Sequence, residues 1–221
     1  MSTYDFVLSL PKVKGTIKIC ITNRQLLTGT SSYTPEVRAQ ILARLELIAA
    51  KNLASAIILR EKDLSEEDYA DLAQAAAKLC ARYNLPLILH NFPAVAASFN
   101  PPLPLHLSME KLRELKKHCA AENLQSNYFP VLGASTHTVA EALEAEALGV
   151  SYITASHIFP TACKPDLAPR GLVYLEAASK TVSVPVLALG GIHEPQLAAC
   201  LEAGAAGVCQ MSEYFARDAE L

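Results

Sequence analysis

Eight short aliphatic runs, each followed by a longer mixed segment, constrain this chain more than any other feature of its sequence. The runs are IKICIT (17–22), SAIILRE (55–61), PLILHN (86–91), PLHLS (104–108), FPVLGAS (129–135), SYITAS (151–156), PVLALGG (185–191) and AGVCQM (206–211). Their hydrophobicity is continuous rather than alternating, the pattern of strands buried on both faces. Between them, apolar residues recur at helical spacing. Thr34 and Pro35 open TPEVRAQILARLELIAAKN as N-cap and first helical position. Ser65 opens SEEDYADLAQAAAKLCARYN, with acidic residues at the positive end of the helix dipole. SMEKLRELKKHCAAEN, HTVAEALEAEALG and EPQLAACLEAG repeat the plan, with Gly149 and Gly204 as stops. The alternation predicts an α/β fold, a parallel sheet closed into a single (β/α)8 TIM barrel. An open doubly wound sheet is the competing arrangement, but no G-x-G-x-x-G follows the first run. One domain is expected over residues 1–221, with 1–16 an N-terminal extension and the barrel from about residue 17. The closing segment SEYFARDAEL is short for a final barrel helix.

Composition narrows the partners. Of 221 residues, 51% are hydrophobic, which supplies a sizeable core, and the net charge is −3 with no basic tract. No nucleic-acid surface is prepared. No run approaches about 18 apolar residues, and the start of the chain lacks a charged region and cleavage site, so neither a membrane span nor a leader is expected. The six cysteines form no C-x-x-C pair and mostly fall within apolar runs, which reads as reduced thiols and a cytoplasmic location. A small molecule is the expected partner.

In a barrel, chemistry collects at the carboxyl ends of the strands. Those ends carry Asn23 and Arg24; Arg60, Glu61 and Lys62; His90 and Asn91; Ser108; Ser135, Thr136 and His137; Ser156 and His157; Gly190, Gly191 and His193; Met211 and Ser212. GGIHEP offers backbone amides through Gly190 and Gly191 and a helix start at Pro195, and QMSEYF offers a second set through Met211 and Ser212. Together they read as a phosphate cradle, although a Gly-Gly pair also permits a plain tight turn. In LREK, Arg60 and Lys62 point the same way on an extended segment and suit an anion, with a solvated charge cluster as the alternative. His137 in STHT stands beside two hydroxyls, where an imidazole can take and return a proton or merely cap the following helix. The proline-rich loop SHIFPTACKPDLAPRG holds Thr161, Cys163, Lys164 and Arg170 stiffly, either toward an anionic ligand or out into water. A zinc site from His90, His137, His157 and His193 has no short ligand spacing to support it.

STHT, FPT-x-CK, GGI and LREK, in this order from ITNR to MSEYF, resemble the thiamine phosphate synthase/TenI superfamily of (β/α)8 barrels. The resemblance implies a place in thiamine biosynthesis, on the thiazole phosphate branch. The synthases join a pyrimidine diphosphate to a thiazole phosphate, gripping the diphosphate with the arginine and lysine of LREK and with the loop lysine, here Lys164. They use Mg2+ held by two aspartates, and the matching positions here are Asn91 and Lys111. The family's pyrimidine-recognising glutamine is Ile58. A departing diphosphate needs its charge neutralised, and hard cations need carboxylate oxygens. The chain is closest to the TenI branch, thiazole tautomerases whose proton transfer needs no metal. There the resemblance places the catalytic histidine on His137. With the residue readings above, the expected substrate contacts are Arg60, Lys62, Ser135, Thr161, Cys163, Lys164, Gly190, Gly191, Met211 and Ser212, and no metal is expected. No cofactor is then required, and Mg2+ enters only if the chain is a synthase with a degenerate metal site. A non-catalytic phosphate-binding barrel is the remaining alternative. The resemblance also makes a homo-oligomer plausible.

Overall fold

The structure, a computed structural model, describes residues 5–121, 128–162, 166–219 and 221. Eight parallel strands close in sequence order, β1 (Lys18–Ile21), β2 (Ala56–Leu59), β3 (Leu87–His90), β4 (Leu105–Ser108), β5 (Leu132–Thr136), β6 (Tyr152–Ser156), β7 (Val186–Leu189) and β8 (Gly207–Gln210). β8 returns to β1, pairing Gln210 with Cys20. The expected (β/α)8 barrel is therefore observed, and the doubly wound alternative is set aside by closure.

Alternation along each strand divides the core into two layers. Ile19, Ile21, Ala56, Ile58, Ile88, Leu187 and Cys209 fill the barrel interior. Ile57, Leu59, Leu87 and Leu89 face outward against Ile41, Leu45, Ile48, Leu72 and Ala76 of the surrounding helices. Each such buried aliphatic side chain contributes about 1.5–3 kcal/mol.

The helices begin where their caps require. Thr34 accepts from the Val37 amide ahead of α3 (Pro35–Ala50), while α2 (Arg24–Thr28) is capped by Asn23. Ser65 accepts from the Asp68 amide ahead of α4 (Glu66–Arg82). The crossover after β3 is only α5 (Pro93–Ala97), and the next is α6 (Met109–Ala121). Thr138, not His137, caps α7 (Val139–Ala147). α8 (Gly171–Thr181) lies between β6 and β7, where the sequence reading named no helix. After β7 a 3-10 turn, Glu194–Gln196, leads into α9 (Leu197–Glu202). The final helix, α10 (Ser212–Phe215), is short, as its sequence suggested.

The N-terminal extension has a structural role. Val7 and Leu10, on and just after α1 (Asp5–Ser9), are buried and join the interior cluster beside Ile17. Among the described residues, no helix is long and apolar enough to cross a membrane.

Candidate active site

The wall formed by β5 and β6 carries the densest chemistry. His137 follows β5 and is half-buried. Its Nδ1 lies 2.8 Å from the Ser156 carbonyl oxygen and 3.2 Å from Ser156 Oγ. A carbonyl only accepts, so Nδ1 carries the hydrogen and, in the neutral ring, Nε2 carries the lone pair. The His137 amide donates to Glu141 Oε2 at 2.6 Å, which fixes the backbone as well. The helix-capping alternative for this histidine is overturned, because Thr138 makes the cap through the Glu141 amide at 3.1 Å.

Deeper in the barrel, Ser135 Oγ lies 2.8 Å from His106 Nε2, and His106 Nδ1 lies 3.0 Å from the Tyr152 hydroxyl. Thr154 donates to Ser135 Oγ at 3.3 Å. Burial pushes the His106 imidazole down to about 3, so the ring is neutral. Burial likewise pushes the Tyr152 hydroxyl well up. His90, on β3, stacks on His106 with centroids 5.9 Å apart. Its Nδ1 is buried without a partner among the described residues. Burial first, then the neighbouring His106 and the Arg60 and Lys62 charges, hold His90 neutral.

The LREK segment divides by burial. Arg60 is half-buried, and its amide donates to Thr22 Oγ1 at 2.8 Å. Lys62 is exposed and lines a groove of about 560 Å³ together with Asn91, Phe92, Lys111, Glu114 and His118. Glu61 turns the other way and is buried, accepting from Thr22 Oγ1 at 2.8 Å and Arg24 Nη1 at 3.0 Å. Arg24 is also buried and forms a two-pronged pair with Asp63 at 2.8 Å on each side. Desolvation pushes the Glu61 carboxyl upward against the pull of Thr22 and Arg24. Arg24, at a strand end, thus serves the fold rather than the mouth.

The donors at the two positions where the resemblance expects magnesium carboxylates do not fit that ion. Asn91 Oδ1 accepts from the Ser108 amide at 2.9 Å, and the Lys111 ammonium pairs with Glu114 at 2.8 Å. One neutral amide oxygen and one cation make no hard-cation cage. Among the described residues, no group of three His, Cys, Asp or Glu side chains gathers as a metal site. His157 and His193, half of the suggested zinc set, have other partners: His157 Nε2 donates to the Leu167 carbonyl at 3.2 Å, and His193 pairs with Glu213.

The loop after β7 is packed closely beneath the loop after β6. Gly190 and Gly191 have φ of 103° and 65°. A Cβ at Gly190 would meet His157 Cβ at 2.3 Å, and one at Gly191 would meet the Pro160 carbonyl at 2.2 Å. The glycines are thus required by the loop after β6 folding over them, whose Phe159 amide donates to the Gly190 carbonyl at 3.0 Å. The expected helix start at Pro195 is a 3-10 turn, braced by the His193 amide donating to Gln196 Oε1 at 3.1 Å. Met211 and Ser212 open the short α10, and Asn23 Nδ2 donates to Met211 Sδ at 3.3 Å. Thr161 is half-buried within the loop after β6. Cys163 and Lys164 lie outside the described residues.

His106, Tyr152 and Thr154 were absent from the sequence-derived site. The available signals were a histidine inside the apolar run PLHLS and a glycine, Gly133, inside FPVLGAS, which marks close approach in a strand.

Comparison with known proteins bears on this geometry. A family model described as thiamine monophosphate synthase, TMP-TENI, matches residues 26–214. A thiamine-phosphate synthase of Lacticaseibacillus paracasei is 34% identical over 192 residues, 87% of this chain and 86% of the relative. One of Clostridium novyi is 28% identical over 200 residues, 90% of each chain. Among solved structures, a thiamine phosphate pyrophosphorylase from Pyrococcus furiosus superposes with a TM-score of 0.71 at 25% identity, covering 92% of this chain and 89% of that one.

Proposed function

Since the chain belongs to the thiamine monophosphate synthase family, TMP-TENI, we propose that its barrel mouth binds a thiazole phosphate and moves a proton on it, with His137 as acid and base and without a divalent metal. The observation that carries this reading is the Nδ1–H contact from His137 to the Ser156 carbonyl at 2.8 Å, which leaves Nε2 as the basic atom. In the reaction, Nε2 takes the hydrogen from the saturated carbon of the thiazole ring and returns it to the exocyclic carbon, as the exocyclic double bond shifts into the ring. The electron pair of the broken C–H bond enters the ring and the exocyclic π pair forms the new C–H bond, so the product is the aromatic tautomer and no oxidant is consumed. General acid–base transfer of this kind is worth about 10²–10⁴-fold in rate. Arg60, Lys62, Ser135, Thr161, Cys163 and Lys164 would receive the anionic groups, with amides at Gly190, Gly191, Met211 and Ser212 on the phosphate.

The second reading is the synthase itself, and the names of the relatives favour it: thiamine-phosphate synthases at 34% and 28% identity over most of the chain. Against it stand Asn91, Lys111 and Ile58, which take the places of the family's metal ligands and pyrimidine contact. A side-by-side assay separates the two. Thiazole aromatisation and pyrimidine–thiazole coupling are followed on one preparation, with Mg2+ and with chelator. Aromatisation that survives chelator, without coupling, supports the tautomerase. Coupling that requires Mg2+ establishes the synthase and overturns the first reading. Binding without turnover in either assay would make the barrel a ligand-binding protein.

A further inference from the structure

The neutral chain from Tyr152 to Ser135 is not used by the proton transfer just described, yet its hydrogens can be placed in only one satisfactory way. The Tyr152 hydroxyl is fully buried, and its hydrogen-bond contact among the described residues is His106 Nδ1 at 3.0 Å. A neutral imidazole has one N–H and one lone pair. If Nδ1 carried the hydrogen, the tyrosine hydrogen would be buried without an acceptor. The satisfied arrangement has Tyr152 donating to Nδ1, and His106 Nε2–H then donates to Ser135 Oγ at 2.8 Å. Thr154 donates to the same oxygen at 3.3 Å. With two hydrogens already directed at its oxygen, the Ser135 hydroxyl has its own hydrogen left to give, and Ser135 is half-buried at the carboxyl end of β5.

The backbone is shaped for this chain. Strand register aligns His106 with Gly133 and Gly133 with Tyr152, and two residues higher it aligns Ser135 with Thr154. A Cβ at Gly133 would meet the Tyr152 ring at 2.3–2.5 Å and its hydroxyl at 2.6 Å, so the missing side chain is what lets the tyrosine cross β5 to reach β4. Burial keeps His106 neutral across the physiological range, which preserves the donor order.

We infer that Tyr152 and His106 are positioning residues that fix the Ser135 hydroxyl as a hydrogen-bond donor toward the mouth, for an acceptor atom (a carboxylate oxygen or a ring nitrogen) of the bound heterocyclic phosphate. The donor order stands on the hydrogen-bond geometry and on the buried, neutral imidazole; the identity of the ligand rests on the thiazole phosphate reading above.

Two measurements test it. Long-range proton–nitrogen NMR on histidine-labelled protein should find His106 as the Nε2–H tautomer in the unliganded wild type, and Tyr152→Phe should remove that preference while the fold is retained. An Nδ1–H tautomer in the wild type, or an unchanged tautomer in Tyr152→Phe, overturns the inference whatever the protein binds. In titrations with hydroxyethylthiazole phosphate, Ser135→Ala and Tyr152→Phe should each weaken binding roughly three- to tenfold, the range for one neutral hydrogen bond. The double variant should bind no worse than Ser135→Ala, because the two act on one contact. Fully additive losses overturn the inference. Absence of wild-type binding to this probe sinks the thiazole phosphate reading, and the tautomer then decides the donor order by itself.

Discussion

Two polar clusters line the barrel, one at the carboxyl ends of β1 and β2 and one running from the start of β6 up to Ser135 near the end of β5, and they are built on opposite principles. At β1 and β2, Arg24 is enclosed by Glu61 and Asp63, with Thr22 completing the carboxylate shell. Its charges terminate on one another. Between β4 and β6, Tyr152, His106, Thr154 and Ser135 are all uncharged, and their chain ends on a hydroxyl with a hydrogen still to give. Apart from Arg24 Nε, which is buried without a partner among the described residues, the charged network is closed on itself and holds a loop in place. One with an unspent donor at the mouth prepares a contact for a ligand. The charged cluster was the more conspicuous in sequence, but the neutral one stands next to His137.

The comparison can be broken at several levels. Glu61→Ala strands a buried guanidinium with only the half-exposed Asp63, and should cost about 3–5 kcal/mol in urea denaturation. A loss below about 1 kcal/mol would mean the charged cluster is not what holds this end of the barrel. Acid should act on the neutral cluster next. The His106 value is depressed to about 3 in the folded state against about 6.5 unfolded, so the unfolded chain binds the proton first. Stability should therefore fall as pH drops from about 6.5 towards 3, with this residue adding up to ~1.4 kcal/mol per pH unit. The same melts on His106→Asn should show a slope shallower by about one proton. Gly133→Ala drives a methyl into the Tyr152 ring and should cost about 1–3 kcal/mol, measured by thermal melting. Smallest of all, Arg113→Ala removes an exposed pair with Glu144 and should change stability by no more than about 1 kcal/mol.

The barrel was legible because its signal is repeated. Eight continuous aliphatic runs admit few other arrangements, and Thr34, Pro35 and Ser65 mark helix starts through local hydrogen bonds that depend on near neighbours. The site was legible only in part. His137 and Arg60 could be placed because a strand's end is visible in sequence. His106 could not, since nothing in PLHLS says that its ring meets a tyrosine 46 positions later. That contact depends on register across three strands and on a glycine between them. The packing around Gly190 and Gly191 was hidden for a related reason: local sequence shows that the side chains are missing, but not that His157 and Pro160 occupy the space. Glu61 turned out to be buried against Thr22 and Arg24, although Arg24 was read as part of the rim.

The most direct test of the proton-transfer account is the rate of thiazole aromatisation in chelator, compared between the wild type and His137→Ala. The account predicts an undiminished wild-type rate and a loss of about 10²–10⁴-fold in the variant at unchanged melting temperature. A variant within about twofold of wild type, or a wild type silenced by the chelator, would contradict it.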